Sequence, residues 1–145
     1  MTVPKISVRN LQRKISVNVA ELERFSKYAV QHSLQLPKRR RTDLRKLSEI
    51  FIGLISDRRM ALLHRKFLGQ SGPTDVLTFQ HGEIFISVDT ARHHAHAFQS
   101  SLLRELKLYI AHGLLHLHGF DDKTPSESHK MKAAQEKILR NCCAL

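Results

Sequence analysis

The sequence predicts one α/β (α+β) domain over residues 1–145, a small mixed β-sheet of about four strands packed with about five helices. Three observations carry that expectation. Runs with period-two or wholly apolar patterning are interleaved with stretches that carry helix start and stop signals. No internal repeat or low-complexity segment interrupts them. A chain of 145 residues with 41% hydrophobic content is also large enough to bury a core without covalent staples.

Val3–Asn10 places Ile6 and Val8 on one face and Lys5, Ser7 and Arg9 on the other, the alternation of a half-buried strand, and Pro4 restricts it to a strand start or an edge. Asn18, with Glu21 three residues on, is a helix N-cap; Leu22, Phe25, Ala29 and Ser33 form the inner face, and Pro37 closes the segment. Ile50–Ile55 is apolar on both faces and reads as a central strand. Asp57 is expected to cap a short helix whose inner residues are Met60, Leu63 and Phe67, with Gly69 beyond its end. Thr74–Phe79 and Glu83–Val88 are strand-like and flank Gln80-His81-Gly82, the length of a hairpin turn. Asp89 is expected to cap a helix bearing His93, His94 and His96, whose small and polar neighbours suggest exposed surface histidines. Another helix starts near Leu102. Thr124-Pro125-Ser126-Glu127 then supplies an N-cap, a first-turn proline and a third-position glutamate for a last helix running toward Leu139.

Charge is the loudest feature of the composition: 24 Lys and Arg against 13 Asp and Glu, a net +11. A field of that sign attracts polyanions, which makes nucleic acid the leading partner, ahead of an anionic membrane or a purely solubilising role. The densest patch, Lys38-Arg39-Arg40-Arg41 with Arg45 and Lys46 close behind, is either a solvated linker or a surface that positions a phosphate backbone. No apolar run approaches the length of a membrane span, and Met1-Thr2-Val3-Pro4-Lys5 lacks the features of a signal peptide, so a reducing cytoplasm is expected. The two cysteines, Cys142 and Cys143, are adjacent and cannot bridge distant segments; a frayed tail is the plainer reading.

Chemistry concentrates in Ile110–Asp122. His112 and His116 lie four residues apart, which on a helix stacks both imidazoles on one face. With ten histidines in the chain such a pair can arise by chance, and two packed histidines near a helix C-terminus would satisfy the macrodipole. Against that, Leu108, Tyr109, Ile110, Leu114, Leu115 and Leu117 make the helix apolar on most sides, and burying two polar rings is costly unless each finds a partner. Gly119 permits a left-handed stop that turns the chain back, so Asp121 or Asp122 could return as a third ligand. Three protein ligands with an open position describe a catalytic zinc site. The zinc-protease pattern H-E-x-x-H needs a glutamate where this chain has Gly113, which disfavours that chemistry.

The run His112-Gly113-Leu114-Leu115-His116-Leu117-His118-Gly119-Phe120-Asp121-Asp122 resembles the H-G-x-L-H-L-x-G-[YF]-D-H pattern of the YbeY family of bacterial endoribonucleases, departing from it at the last position. Pro73-Thr74-Asp75-Val76-Leu77-Thr78-Phe79 and Gly82-Glu83-Ile84-Phe85-Ile86-Ser87 are similar to that family's P-T-D-V-L-S-F and G-D-I-x-I-S segments. The resemblance implies a single metal-dependent endoribonuclease domain that acts on single-stranded RNA. It further implies roles in small-subunit (16S) ribosomal RNA maturation and ribosome quality control, with the ribosomal RNA precursor and the small ribosomal subunit as partners. It implies one zinc ion on His112, His116 and position 122, here Asp122, where the family usually has histidine. Carboxylate is a competent zinc ligand. His118 and His129 are substitutes to consider, although His118 points elsewhere on a helix. Asp121 is a candidate to orient a liganding histidine from behind. The expected reaction is metal-assisted phosphodiester hydrolysis, with basic side chains such as Lys38, Arg39, Arg40 and Arg41 holding the strand and no general base assignable. An arginine that many family members carry five residues before the proline is replaced by Leu68. The rivals are a basic RNA-binding or ribosome assembly factor with a structural metal, and a hydrolase of small molecules.

Overall fold

Ile50, Ile52 and Leu54 point to one side of the second strand while Phe51, Gly53 and Ile55 point to the other, and the fold is built outward from that strand. The structure is a computed structural model that describes residues 3–37, 44–69 and 74–143. The basic run Lys38-Arg39-Arg40-Arg41 and the loop 70–73, Pro73 included, lie outside the described residues.

Four strands, β1 (Lys5–Asn10), β2 (Glu49–Ile55), β3 (Val76–Phe79) and β4 (Glu83–Ser87), form one sheet in the order β1-β2-β4-β3. β1 and β4 run parallel to β2, whereas β3 pairs antiparallel with β4 through the hairpin at Gln80–Gly82. Among the described residues there are five α-helices: α1 (Val19–Leu34), α2 (Asp57–Leu68), α3 (Val88–Ala97), α4 (Leu102–Leu117) and α5 (Pro125–Cys143). A short 3-10 turn covers Leu44–Lys46. The sequence-predicted class, a mixed four-stranded sheet with five helices, is the class observed.

The main core joins Ile50, Ile52, Leu54, Ile84 and Ile86 of the sheet to α1 (Leu22, Phe25, Ala29), α3 (Val88, Ala91), α4 (Leu106, Ile110, Leu114) and α5 (Met131, Ile138). On the opposite face α2 covers a smaller cluster of Ile55, Met60 and Leu77 flanked by Leu63, Phe79 and Phe85. α4 is therefore the innermost helix, and its one buried lysine is neutralised: Lys107 Nζ lies 2.7 Å from Glu21 Oε2 on α1. Arg24 and then Lys107 hold the Glu21 carboxyl well below the usual carboxylate range. That pair ties α1 to α4 beside their apolar contact.

Three local expectations are corrected. Ser56, not Asp57, caps α2: its Oγ accepts the Arg59 N–H at 3.2 Å. Ser87, not Asp89, caps α3, so β4 ends at Ser87 and Val88 is already helical. The two aspartates instead tie the helix starts together, because Asp57 Oδ1 accepts the hydroxyls of Ser87 and Thr90 while Asp89 Oδ2 accepts the Asp57 N–H at 2.8 Å. Both carboxylates stay in a first turn, where the macrodipole favours them. Third, α5 continues to Cys143 and buries Cys142 in the core as a small apolar residue, so the tail does not fray at the cysteines.

Candidate metal centre

The final turn of α4 decides the geometry. Gly119 adopts φ +95, and its N–H donates to the His116 carbonyl at 3.0 Å. Phe120 N–H donates to the Leu115 carbonyl at 2.9 Å, and both of those side chains are buried. This is a Schellman stop, with a glycine where the left-handed residue falls. It reverses the chain so that Asp122 faces the helix it has just left.

His112 and His116 are half-buried, with ring centroids 4.5 Å apart and planes at 83°. Their Nε2 atoms lie 3.0 Å from one another, and Asp122 Oδ2 lies 3.7 Å from His112 Nε2. The three ligand atoms fall within 4.8 Å of one another. Asp122 is exposed, so one side of the cradle opens to solvent.

The far side of each ring explains why the near side is free. His116 Nδ1 is 3.0 Å from the Phe120 carbonyl, which can only accept, so Nδ1 carries the proton. His112 Nδ1 is 2.7 Å from Gln135 Oε1 on α5, which accepts its N–H in the same way. Both Nε2 atoms are then lone-pair donors aimed at each other. In these tautomers the two Nε2 lone pairs, 3.0 Å apart, border one space that a shared cation would fill. Tetrahedral zinc bonded to two imidazoles at its usual distance would separate their nitrogens by about 3.3 Å, close to what is found. Burial, followed by the neighbouring His112 ring, pushes the His116 pKa down, partly offset by Asp122. His116 is thereby kept neutral, the form a metal requires. The donor set fits a divalent ion of the zinc type.

Gln135 was not singled out in the sequence, because nothing in its spacing ties it to a histidine 23 residues earlier. Replacing it with leucine keeps the volume and removes the acceptor. We expect Gln135→Leu to weaken zinc binding about 10- to 100-fold in a chelator competition while the fold is retained.

The remaining sequence candidates fall as follows. Asp121 Oδ1 accepts the Asp122 N–H at 2.8 Å, shaping the turn that presents Asp122. His118 is buried on another face, its Nε2 2.8 Å from the Leu36 carbonyl, and His129 is exposed on α5; neither joins the cradle. His93 and His96 are exposed, as expected, whereas His94 is half-buried with Nδ1 2.6 Å from the Tyr109 hydroxyl. Among the described residues, no helix is long and apolar enough to cross a membrane.

The chain is an α/β protein with a mixed sheet whose innermost helix ends in a two-histidine, one-carboxylate group that could hold a metal ion and is open on one side. The sequence profile of endoribonuclease YbeY matches residues 7–142, and the chain belongs to that nuclease family. An endoribonuclease YbeY of Phocaeicola vulgatus is 37% identical over 102 residues, 66% of this chain and 74% of the relative. One from Thermus thermophilus is 35% identical over 123 residues, 72% of this chain and 88% of the relative. A solution structure of a Thermotoga maritima protein superimposes with a TM-score of 0.59 over 96% of this chain and 92% of its own, at 24% identity, a likeness of fold.

Proposed function

We propose that residues 1–145 act as one metal-dependent, single-strand-acting endoribonuclease domain in the cytoplasm. Its task is maturation of small-subunit ribosomal RNA and quality control of ribosomes, with the RNA precursor and the small ribosomal subunit as partners. His112, His116 and Asp122 hold one zinc ion, and the observation that carries this reading is the convergence of two deprotonated Nε2 atoms at 3.0 Å beside a carboxylate. When bound, the ion supplies a Lewis acid that polarises a phosphoryl oxygen and acidifies a water.

The chain's own groups do the positioning. Gln135 and the Phe120 carbonyl hold the two rings and their tautomers, and Asp121 braces the turn behind Asp122. Lys38, Arg39, Arg40 and Arg41 hold the strand through its phosphates, where the net charge of +11 supports a steep salt dependence. The test is removal and restoration of the ion. Chelator-stripped protein is expected to lose cleavage of a single-stranded 16S fragment and regain it with zinc. Binding without cleavage by the reloaded protein would instead make it a non-catalytic assembly factor.

Asp122 also sets the strength of the Lewis acid. A carboxylate donates an anion where a histidine donates a neutral ring, so the ion acidifies water less. We expect Asp122→His to move the acidic limb of the pH–rate profile to lower pH; an unchanged limb would reject this role.

A further inference from the structure

Phe67 is 54% exposed although the sequence pattern puts it on the inner face of α2. It is not adrift: its ring meets Phe79 of β3 edge-on at 5.4 Å, and Phe79 in turn stacks on His81 of the hairpin at 5.9 Å and 29°. Phe85 of β4 supports Phe79 from below at 6.1 Å, and Glu83 Oε1 holds His81 Nε2 at 2.5 Å. Phe67 and His81 are exposed, and the half-buried Phe79 between them anchors both rings to the sheet.

Their surroundings are cationic. The last turn of α2 carries Arg65 and Lys66, both exposed, with Lys66 Nζ 5.5 Å from the Phe67 ring centroid, and the Glu83 carboxylate beside them is paired with His81. A protein-binding apolar face is typically depleted of charge at its centre. Rigid exposed aromatics rimmed by Arg and Lys are what unpaired bases on an anionic backbone need.

The platform and α4 lie on opposite faces of the same sheet edge. Phe79 belongs to the edge strand β3, and its neighbour Thr78 pairs with Ile84, the residue against which α4 packs at Gly113, beside His112. Since successive side chains alternate, Phe79 lies on the opposite face of that edge.

We infer that Phe67, Phe79 and His81 form a base-stacking platform for single-stranded RNA, resting on the reading of this chain as a ribonuclease. The chain has no tryptophan, so Phe67→Trp introduces a sole indole reporter in the full-length protein. With chelator present to prevent cleavage, an oligouridylate is expected to quench that emission. The same strand annealed to its complement, and inorganic polyphosphate, are expected not to. Phe67→Ala should weaken oligouridylate binding about tenfold, as loss of one stacked base predicts, while duplex affinity stays unchanged and Phe67→Tyr restores binding.

Equal loss on single strand and duplex, unchanged affinity, or an emission indifferent to the oligouridylate overturns the platform. So does a self-association abolished by Phe67→Ala, which assigns the patch to a second copy of the chain. If the parent cleaves RNA with zinc while Phe67→Ala binds like the parent, only the platform falls. If the parent neither binds nor cleaves RNA, the ribonuclease reading falls with it.

Discussion

Substituting His116 with alanine is expected to lower single-turnover, zinc-dependent RNA cleavage by about 1,000-fold or more, because a Lewis acid worth several kcal/mol is lost with the ion. The ring provides one of two Nε2 donors 3.0 Å apart, and no other described His, Cys, Asp or Glu joins that group to replace it. RNA affinity and its salt slope should remain close to the parent's, since both come from Lys and Arg elsewhere on the surface. Zinc should also cease to raise the melting temperature. The parent gains stability from any ligand bound by its native state alone, and the variant has lost that ligand. Metal-free His116→Ala should itself melt below the metal-free parent, since it loses a half-buried ring and its Nδ1 bond to the Phe120 carbonyl, so the zinc-dependent shift is read within each protein. Equal cleavage by both proteins would point to a contaminating nuclease and remove the case for catalysis.

Features set by local spacing were legible in the sequence. Period-two patterning located β1, and an apolar run marked β2 as central. The i, i+4 histidines followed by Gly119 gave the cradle its helix, its stop and its returning carboxylate, because each is a consequence of residues within ten positions. What depended on distant partners was not legible. Asp57 and Ser56 are both competent caps; the choice went to Ser56 because the Asp57 carboxylate is engaged by Ser87 and Thr90, 30 and 33 residues away. Phe67 has helical spacing with Met60 and Leu63, yet the sheet face beneath α2 is already filled by Met60, Leu77 and Phe85, leaving its ring at the rim.

The cradle divides in the same way. His112, His116 and Asp122 can be read from the motif, but the groups that fix the ring tautomers cannot. One is a main-chain carbonyl, at Phe120, which no side-chain pattern reports. The other, Gln135, comes from α5, whose approach to α4 is decided by Met131, Ile138 and Cys142 in the core. A sequence can thus name candidate ligands while leaving their orientation to tertiary packing.

Gly113 shows packing constraining chemistry directly. A Cβ there would lie 2.9 Å from Ile84 Cγ2 and 3.0 Å from Ile84 Cδ1, on a fully buried side chain. α4 therefore rests on β4 with no room for a side chain, at the position where a zinc protease places its glutamate. Gly113→Ala should lose about 1 kcal/mol net, as overpacking of about 1–3 kcal/mol is partly offset by about 1 kcal/mol of improved helix propensity. A drop of about 3 °C in melting temperature would register it. Gly113→Glu adds an unpaired carboxylate to the same crowded, apolar contact, and its expected loss exceeds about 4 kcal/mol, a large fraction of a domain's stability. Such a variant should yield little folded protein, and the little that folds should bind zinc poorly, since α4 must lift from Ile84 and carry His112 with it. If Gly113→Glu instead folds, binds zinc and hydrolyses peptides, the helix can move off the sheet at low cost, and the close α4–β4 contact is not what excludes a protease-type base.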